Sequence, residues 1–135
     1  MTPLLRTILL SAGAATVAAC AVPDDRPADW AYVHAAILEP SCATAACHAK
    51  LTARAGVDLS TQVAAYAVLV GRVCGAPVTP GDPIGNFVVP GRPESSRLMY
   101  QLRGDRTATM PPDRPLPDAE IAIIERWILE GATCE

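Results

Sequence analysis

The stretch Cys42-Ala43-Thr44-Ala45-Ala46-Cys47-His48 decides how the rest of the chain is read. Two thiols flank four small residues, and an imidazole follows the second thiol directly. Three chemistries use such a set. The thiols can close a disulfide in an oxidising compartment. They can bind zinc, because a four-residue gap lies within zinc spacing. They can also anchor a macrocycle, with the histidine as its axial base. Zinc fits least well, because adjacent residues rarely reach one tetrahedral ion together. The only other histidine, His34, falls in a separate helical stretch.

The pattern Cys-x4-Cys-His is close to the Cys-x-x-Cys-His of c-type haem attachment. There, two thiols add their S–H bonds across two vinyl groups, and the histidine turns beneath the ring to give its imidazole to iron. A two-residue gap places both sulfurs along one porphyrin edge. Four residues must bulge outward, and Ala43-Thr44-Ala45-Ala46 is small enough to do so. The candidates for a sixth iron ligand are Met99, Met110 and His34. Met110 is preferred, because the prolines after it in Thr109-Met110-Pro111-Pro112 stiffen its loop and reduce the entropy lost on ordering. Met99 falls within a short helix and reads as core, and His34 reads as a partly exposed helix residue.

The remainder of the composition narrows the class. The chain has 135 residues, enough for one small domain and its termini. Half the residues are apolar but only 4% are aromatic, and 13 prolines and 9 glycines demand extensive loop. The net charge is −3 with no basic patch, which argues against nucleic-acid binding. So little aromatic volume, with long loops, leaves a core that a large apolar cofactor would complete.

Residues 1–19 read as an address. Arg6 precedes an uncharged run from Thr7 to Ala19, too short to span a bilayer but the length of a signal-peptide core. The run ends Val17-Ala18-Ala19-Cys20, which resembles a bacterial lipoprotein signal, with Cys20 as the lipidated first residue. An ordinary secretory signal is the alternative, and either way the domain is expected in the cell envelope, on the periplasmic side. Residues 20–28 then form a short tether. The eight residues 21–28, fully extended, reach at most about 26 Å, so the domain and its partner are expected near the membrane.

The domain, residues 29–135, reads as all-α with about four helices and long loops. Asp29 caps a first helix over 29–39 that Pro40 ends, with Trp30, Val33, Ile37 and Leu38 near one face. Ser60 caps a second, over 61–72, with Val63, Tyr66, Ala67 and Val70 as its stripe. A third covers about 94–102 and stops at Gly104. The fourth, over 118–130, carries Ile121, Ile124, Trp127 and Ile128 on its apolar face and ends at Gly131.

Taken together these pieces resemble a class I c-type cytochrome, and in particular the planctomycete-type, cytochrome c-like single-haem domains. The matching residues run in family order. They are Ile37-Leu38-Glu39-Pro40-Ser41-Cys42 leading into Cys47-His48, then Gly56-Val57-Asp58-Leu59-Ser60, then Val89-Pro90-Gly91-Arg92-Pro93-Glu94-Ser95-Ser96-Arg97-Leu98. Met110-Pro111-Pro112 follows, and then the helix from Glu120 to Ile128 before Gly131-Ala132. The resemblance covers nearly all of 29–134, and the four-residue gap is its one departure. It implies one covalent haem c on Cys42 and Cys47, His48 as proximal and Met110 as distal iron ligand. It also implies a first helix packed on the last, which suits Trp30 or Tyr32 against Trp127.

Cys74 and Cys134 remain. Outside the cytoplasm a disulfide is their default, and free thiols are the alternative. The five cysteines then divide into one for lipid, two for haem and two for a bridge. The expected function is electron transfer by Fe(II)/Fe(III) cycling, in a monomer held at the membrane by its lipid and meeting a redox protein there, with no enzyme activity of its own. Arg92, Arg97 and Arg103 are candidates for haem carboxylates or an acidic partner. Two rivals stay open: a haem enzyme of peroxidase type with an open sixth position, and a haem-free, disulfide-stabilised structural lipoprotein.

Overall fold

Asp29 opens the first helix by accepting the Tyr32 amide proton at 2.8 Å. In the computed structural model, which describes residues 24–77 and 87–134, this helix, α1, is continuous over 30–42 but changes pitch. Trp30–Tyr32 is α-helical, Val33–Leu38 is π-helical and Glu39–Cys42 is α-helical again. Pro40 therefore does not end the helix, as its lack of an N–H had suggested. It sits at the start of the last α segment, where the hydrogen-bond register has just changed and a missing donor costs least. The consequence is functional: α1 carries Cys42 on its final turn.

The other helices are α2, Gln62–Val70, α3, Arg97–Arg103, and α4, Asp118–Leu129. There is no strand among the described residues, and the class is small all-α as the sequence implied. Thr61, not Ser60, caps α2, accepting from the Ala64 amide at 3.2 Å, while the Ser60 amide is taken by Asp58 at 2.9 Å. Val63 is exposed and Ala67 only half-buried, so the buried face of α2 is Ala65, Tyr66, Leu69 and Val70 and shares only Tyr66 and Val70 with the expected stripe. The third helix is interrupted at its start. A 3-10 turn, Pro93–Ser95, precedes α3, and the buried Ser96 between them accepts from the Val89 amide and donates to the Arg92 carbonyl, both at 2.9 Å.

The core is organised by aromatic rings from three helices. Trp30 of α1 stacks on Trp127 of α4, with ring centroids 5.0 Å apart and planes 29° apart. Tyr66 of α2 meets Trp30 edge-on at 5.4 Å. Ile37, Leu38, Met99, Ile124 and Ile128 fill the space around them. Met99 is thus a core residue, as its place in a short helix had suggested.

The C-terminal segment folds back over these rings. Tyr66 donates its hydroxyl to the Ala132 carbonyl at 2.9 Å, and Trp127 Nε1 donates to Thr133 at 2.8 Å. Cys134 then bonds Cys74, the pairing the sequence led one to expect, with the Cα atoms 5.7 Å apart. At the other end, Arg126 of α4 donates to the carbonyls of Asp24 and Arg26. Within the stretch expected as a short tether, the carbonyls of Asp24 and Arg26 are thus held to the domain. The expected signal over 1–19, Cys20 and the segment 78–86 lie outside the described residues.

Candidate haem-binding cleft

The end of α1 and the loop after it form one wall of an open cleft. Cys42 stands at the last turn of the helix. The chain then turns tightly, with the Cys47 amide donating to the Thr44 carbonyl at 2.9 Å and the His48 amide reaching back to the Cys42 carbonyl at 3.1 Å. Thr44, Ala45 and Ala46 point to solvent, so the extra residues between the thiols bulge outward and both cysteines and His48 line one cavity. The two thiols are free rather than joined to each other. Burial, helped by the neighbouring Cys47, pushes the Cys42 thiol up from 9.0 to about 11.

His48 is held by a carbonyl. Its Nδ1 lies 3.1 Å from the Val57 oxygen, which can only accept, so the ring proton sits on Nδ1. Nε2 keeps its lone pair. This is the arrangement in which an imidazole ligates a metal through one nitrogen while a carbonyl fixes the other. The loop between them makes the reach short: the Leu59 amide donates to the His48 carbonyl at 2.8 Å, and Ala53, Ala55 and Gly56 adopt left-handed conformations that turn the chain back.

The opposite wall comes from α3 and the loop beyond it. Leu98, Gln101 and Leu102 face the cleft, and Met110, Pro111 and Pro112 close one side. Met110 donates its amide to the Gln101 carbonyl at 2.8 Å, which ties the proline-rich loop to α3. The loop packs so closely that a Cβ at Gly104, where φ is +71°, would run into Thr109 Oγ1. Met110 is 37% exposed, unlike the fully enclosed Met99, and lines the same cleft as His48.

The cleft is open at its mouth, and its free space, solvent at the mouth included, is about 830 Å³. Among the described residues its lining is almost wholly apolar, and Arg97 is the one Lys, Arg, Asp or Glu side chain on it. Among the three arginines singled out in the sequence, Arg103 is paired with Glu125 at 2.7 Å, Arg92 lies outside the lining, and Arg97 rests over the Phe87 ring at 5.2 Å. Among the described residues, no three His, Cys, Asp or Glu side chains converge on a point, so zinc finds no ligand set.

His34 departs from expectation. It is 3% exposed rather than partly exposed, and its Nε2 lies 3.1 Å from the Leu59 carbonyl. His34 lies beside Val33, Ile37 and Leu38 on the buried side of α1, next to the apolar residues that the sequence already placed near one face. Phe87, Gln101 and the carbonyls of Val57 and Leu59 were not singled out as site residues. Only the piece Gly56-Val57-Asp58-Leu59-Ser60 pointed to that wall.

A small all-α fold enclosing an apolar cleft, with paired thiols, a carbonyl-held imidazole and a thioether on its walls, defines a cytochrome c-like domain. The chain belongs to the planctomycete cytochrome c family, whose family model, described as Planctomycete cytochrome C, matches residues 45–114. That span includes Cys47, His48 and Met110 and begins just after Cys42. No curated protein and no solved structure matches the chain. The residues present fit a haem, since soft and nitrogen donors share a cleft whose walls are otherwise apolar and whose one free cation, among the described lining residues, suits a carboxylate-bearing ring.

Proposed function

We propose that this protein is an electron carrier with a single haem c, anchored by Cys42 and Cys47 and ligated by His48 and Met110. The observation that carries the reading is the Val57 carbonyl on His48 Nδ1, which leaves Nε2 available in the cleft that Met110 also lines. Haem, when bound, supplies a one-electron Fe(II)/Fe(III) couple, and methionine opposite histidine favours the ferrous form.

The chain's own residues do the rest. Val57 fixes the imidazole tautomer. Leu59, Leu69, Leu98 and Leu102 exclude water and lower the local dielectric. The Met110–Pro112 loop presents the thioether without a large ordering cost. Arg97 sits where it can meet a carboxylate of the ring.

The same proposal places the protein on the periplasmic side of the cell envelope, with Cys20 lipidated and a redox protein as its partner at the membrane. Support comes from Val17-Ala18-Ala19-Cys20 and from a disulfide at Cys74 and Cys134, a bond of oxidising compartments. No helix among the described residues is long and apolar enough to cross a membrane.

Expression alongside a haem-attachment system tests the function. Haem staining that survives denaturation, together with a reduced-minus-oxidised difference spectrum of low-spin haem, is the expected outcome. A colourless protein contradicts it.

A further inference from the structure

His34 is buried, polar and remote from the iron ligands in sequence, and the proposed function makes no use of it. Its environment gives it a specific partner. Nε2 donates to the Leu59 carbonyl at 3.1 Å, because a carbonyl can only accept. Leu59 in turn donates its amide to the His48 carbonyl at 2.8 Å, and Val57, two residues before, receives His48 Nδ1 at 3.1 Å. The segment Val57-Asp58-Leu59 is thus gripped at three points, two by His48 and one by His34. Val57 and Leu59 also line the cleft. On the other side of the His34 ring stands Trp30 at 5.7 Å, part of the aromatic stack on α4.

We propose that His34 is a positioning residue for His48, setting the strength of the Nδ1–H bond to Val57 by fixing where Leu59, and therefore Val57, stands. The proposal deepens the haem reading and rests on it. The coupling is one of position. The N–H and the carbonyl of Leu59 belong to different peptide units, so His34 does not polarise the bond to His48 directly. It decides how far the 57–59 segment can drift from the imidazole. A well-held Nδ1–H makes the imidazole a stronger donor to iron and stabilises the ferric state. Loosening it weakens that donation.

The test compares His34→Leu and His34→Gln in the haem-loaded protein. Leucine cannot donate to Leu59. Glutamine keeps a side-chain N–H at comparable reach. For His34→Leu the reduction potential rises, and exchange of the His48 Nδ1 proton, read by NMR in the reduced protein, quickens by roughly tenfold, the factor that one hydrogen bond's net contribution allows. His34→Gln returns both values most of the way to wild type.

If both variants lose thermal stability while potential and proton exchange stay at wild-type values, His34 is structural only and the proposal is overturned. If the wild-type polypeptide carries no haem, the functional reading fails instead, and the Nδ1 proton exchange in the folded chain still decides the role of His34.

Discussion

Trp30 and Trp127 stack with their ring centroids 5.0 Å apart, joining the first helix to the last. The contact lies among the most buried side chains of the protein, and Trp127 is anchored further by its Nε1–H bond to Thr133. Removing a buried tryptophan forfeits its transfer free energy and leaves a cavity. Trp127→Ala is therefore expected to cost about 3–5 kcal/mol. Equilibrium denaturant unfolding checks this, and a cost under about 1 kcal/mol would place the stack outside the stability of the fold.

The Cys74–Cys134 bond closes a separation of 60 residues. In the chain-entropy account such a loop contributes about 4 kcal/mol by restricting the unfolded state. Cys74→Ser with Cys134→Ser should lower the unfolding free energy by about 2–4 kcal/mol. Neither cysteine lines the cleft, so the haem absorption spectrum should not change. A changed spectrum would mean that the bridge shapes the site.

Met110 is expected to be the side chain that keeps small ligands from the iron. Met110→Ala should leave the thioethers intact and convert the ferric protein to a form that binds cyanide. Losing a ligand bond of about 1.4 kcal/mol or more should speed that binding by roughly tenfold or more. Cyanide kinetics on both proteins, followed optically, give the answer. Equal rates would point to an already open sixth position and the peroxidase-type alternative.

The Cys42 thiol titrates late in the haem-free chain. Burial raises it from 9.0 to about 11, so the folded state holds its proton more tightly than the unfolded state does. The resulting contribution to stability is complete below about pH 9 and is lost as pH rises toward about 11. With the Cys74–Cys134 bridge intact, alkylation of Cys42 should therefore show a midpoint well above that of an ordinary cysteine. Mass-resolved alkylation against pH measures it, and a midpoint at or below 9.0 contradicts the burial.

Much of this was legible in the sequence because it rests on local rules. Asp29 caps its helix, the isoleucines of α4 mark a buried stripe, and Met110 is followed by two prolines that fix its loop. What could not be read depends on tertiary placement. Pro40 looked like a stop because a proline breaks an α ladder, yet a π-helical turn before it changes the register and lets the helix reach Cys42. His34, which its position alone had suggested was partly exposed, is buried against the 57–59 segment and Trp30. Ser60 and Thr61 are both acceptable caps by residue type, and the structure uses the Thr61 hydroxyl. The cleft walls at Val57 and Leu59 act through backbone carbonyls, and side-chain patterns carry no signal for that.

The central claim is a haem bound covalently through Cys42 and Cys47, and a mass measurement on the peptide spanning both residues tests it most directly. The expected result, for protein matured in the cell envelope, is that peptide carrying the added mass of one haem, with neither thiol open to alkylation. A peptide with only its amino-acid mass and two alkylatable thiols would contradict it.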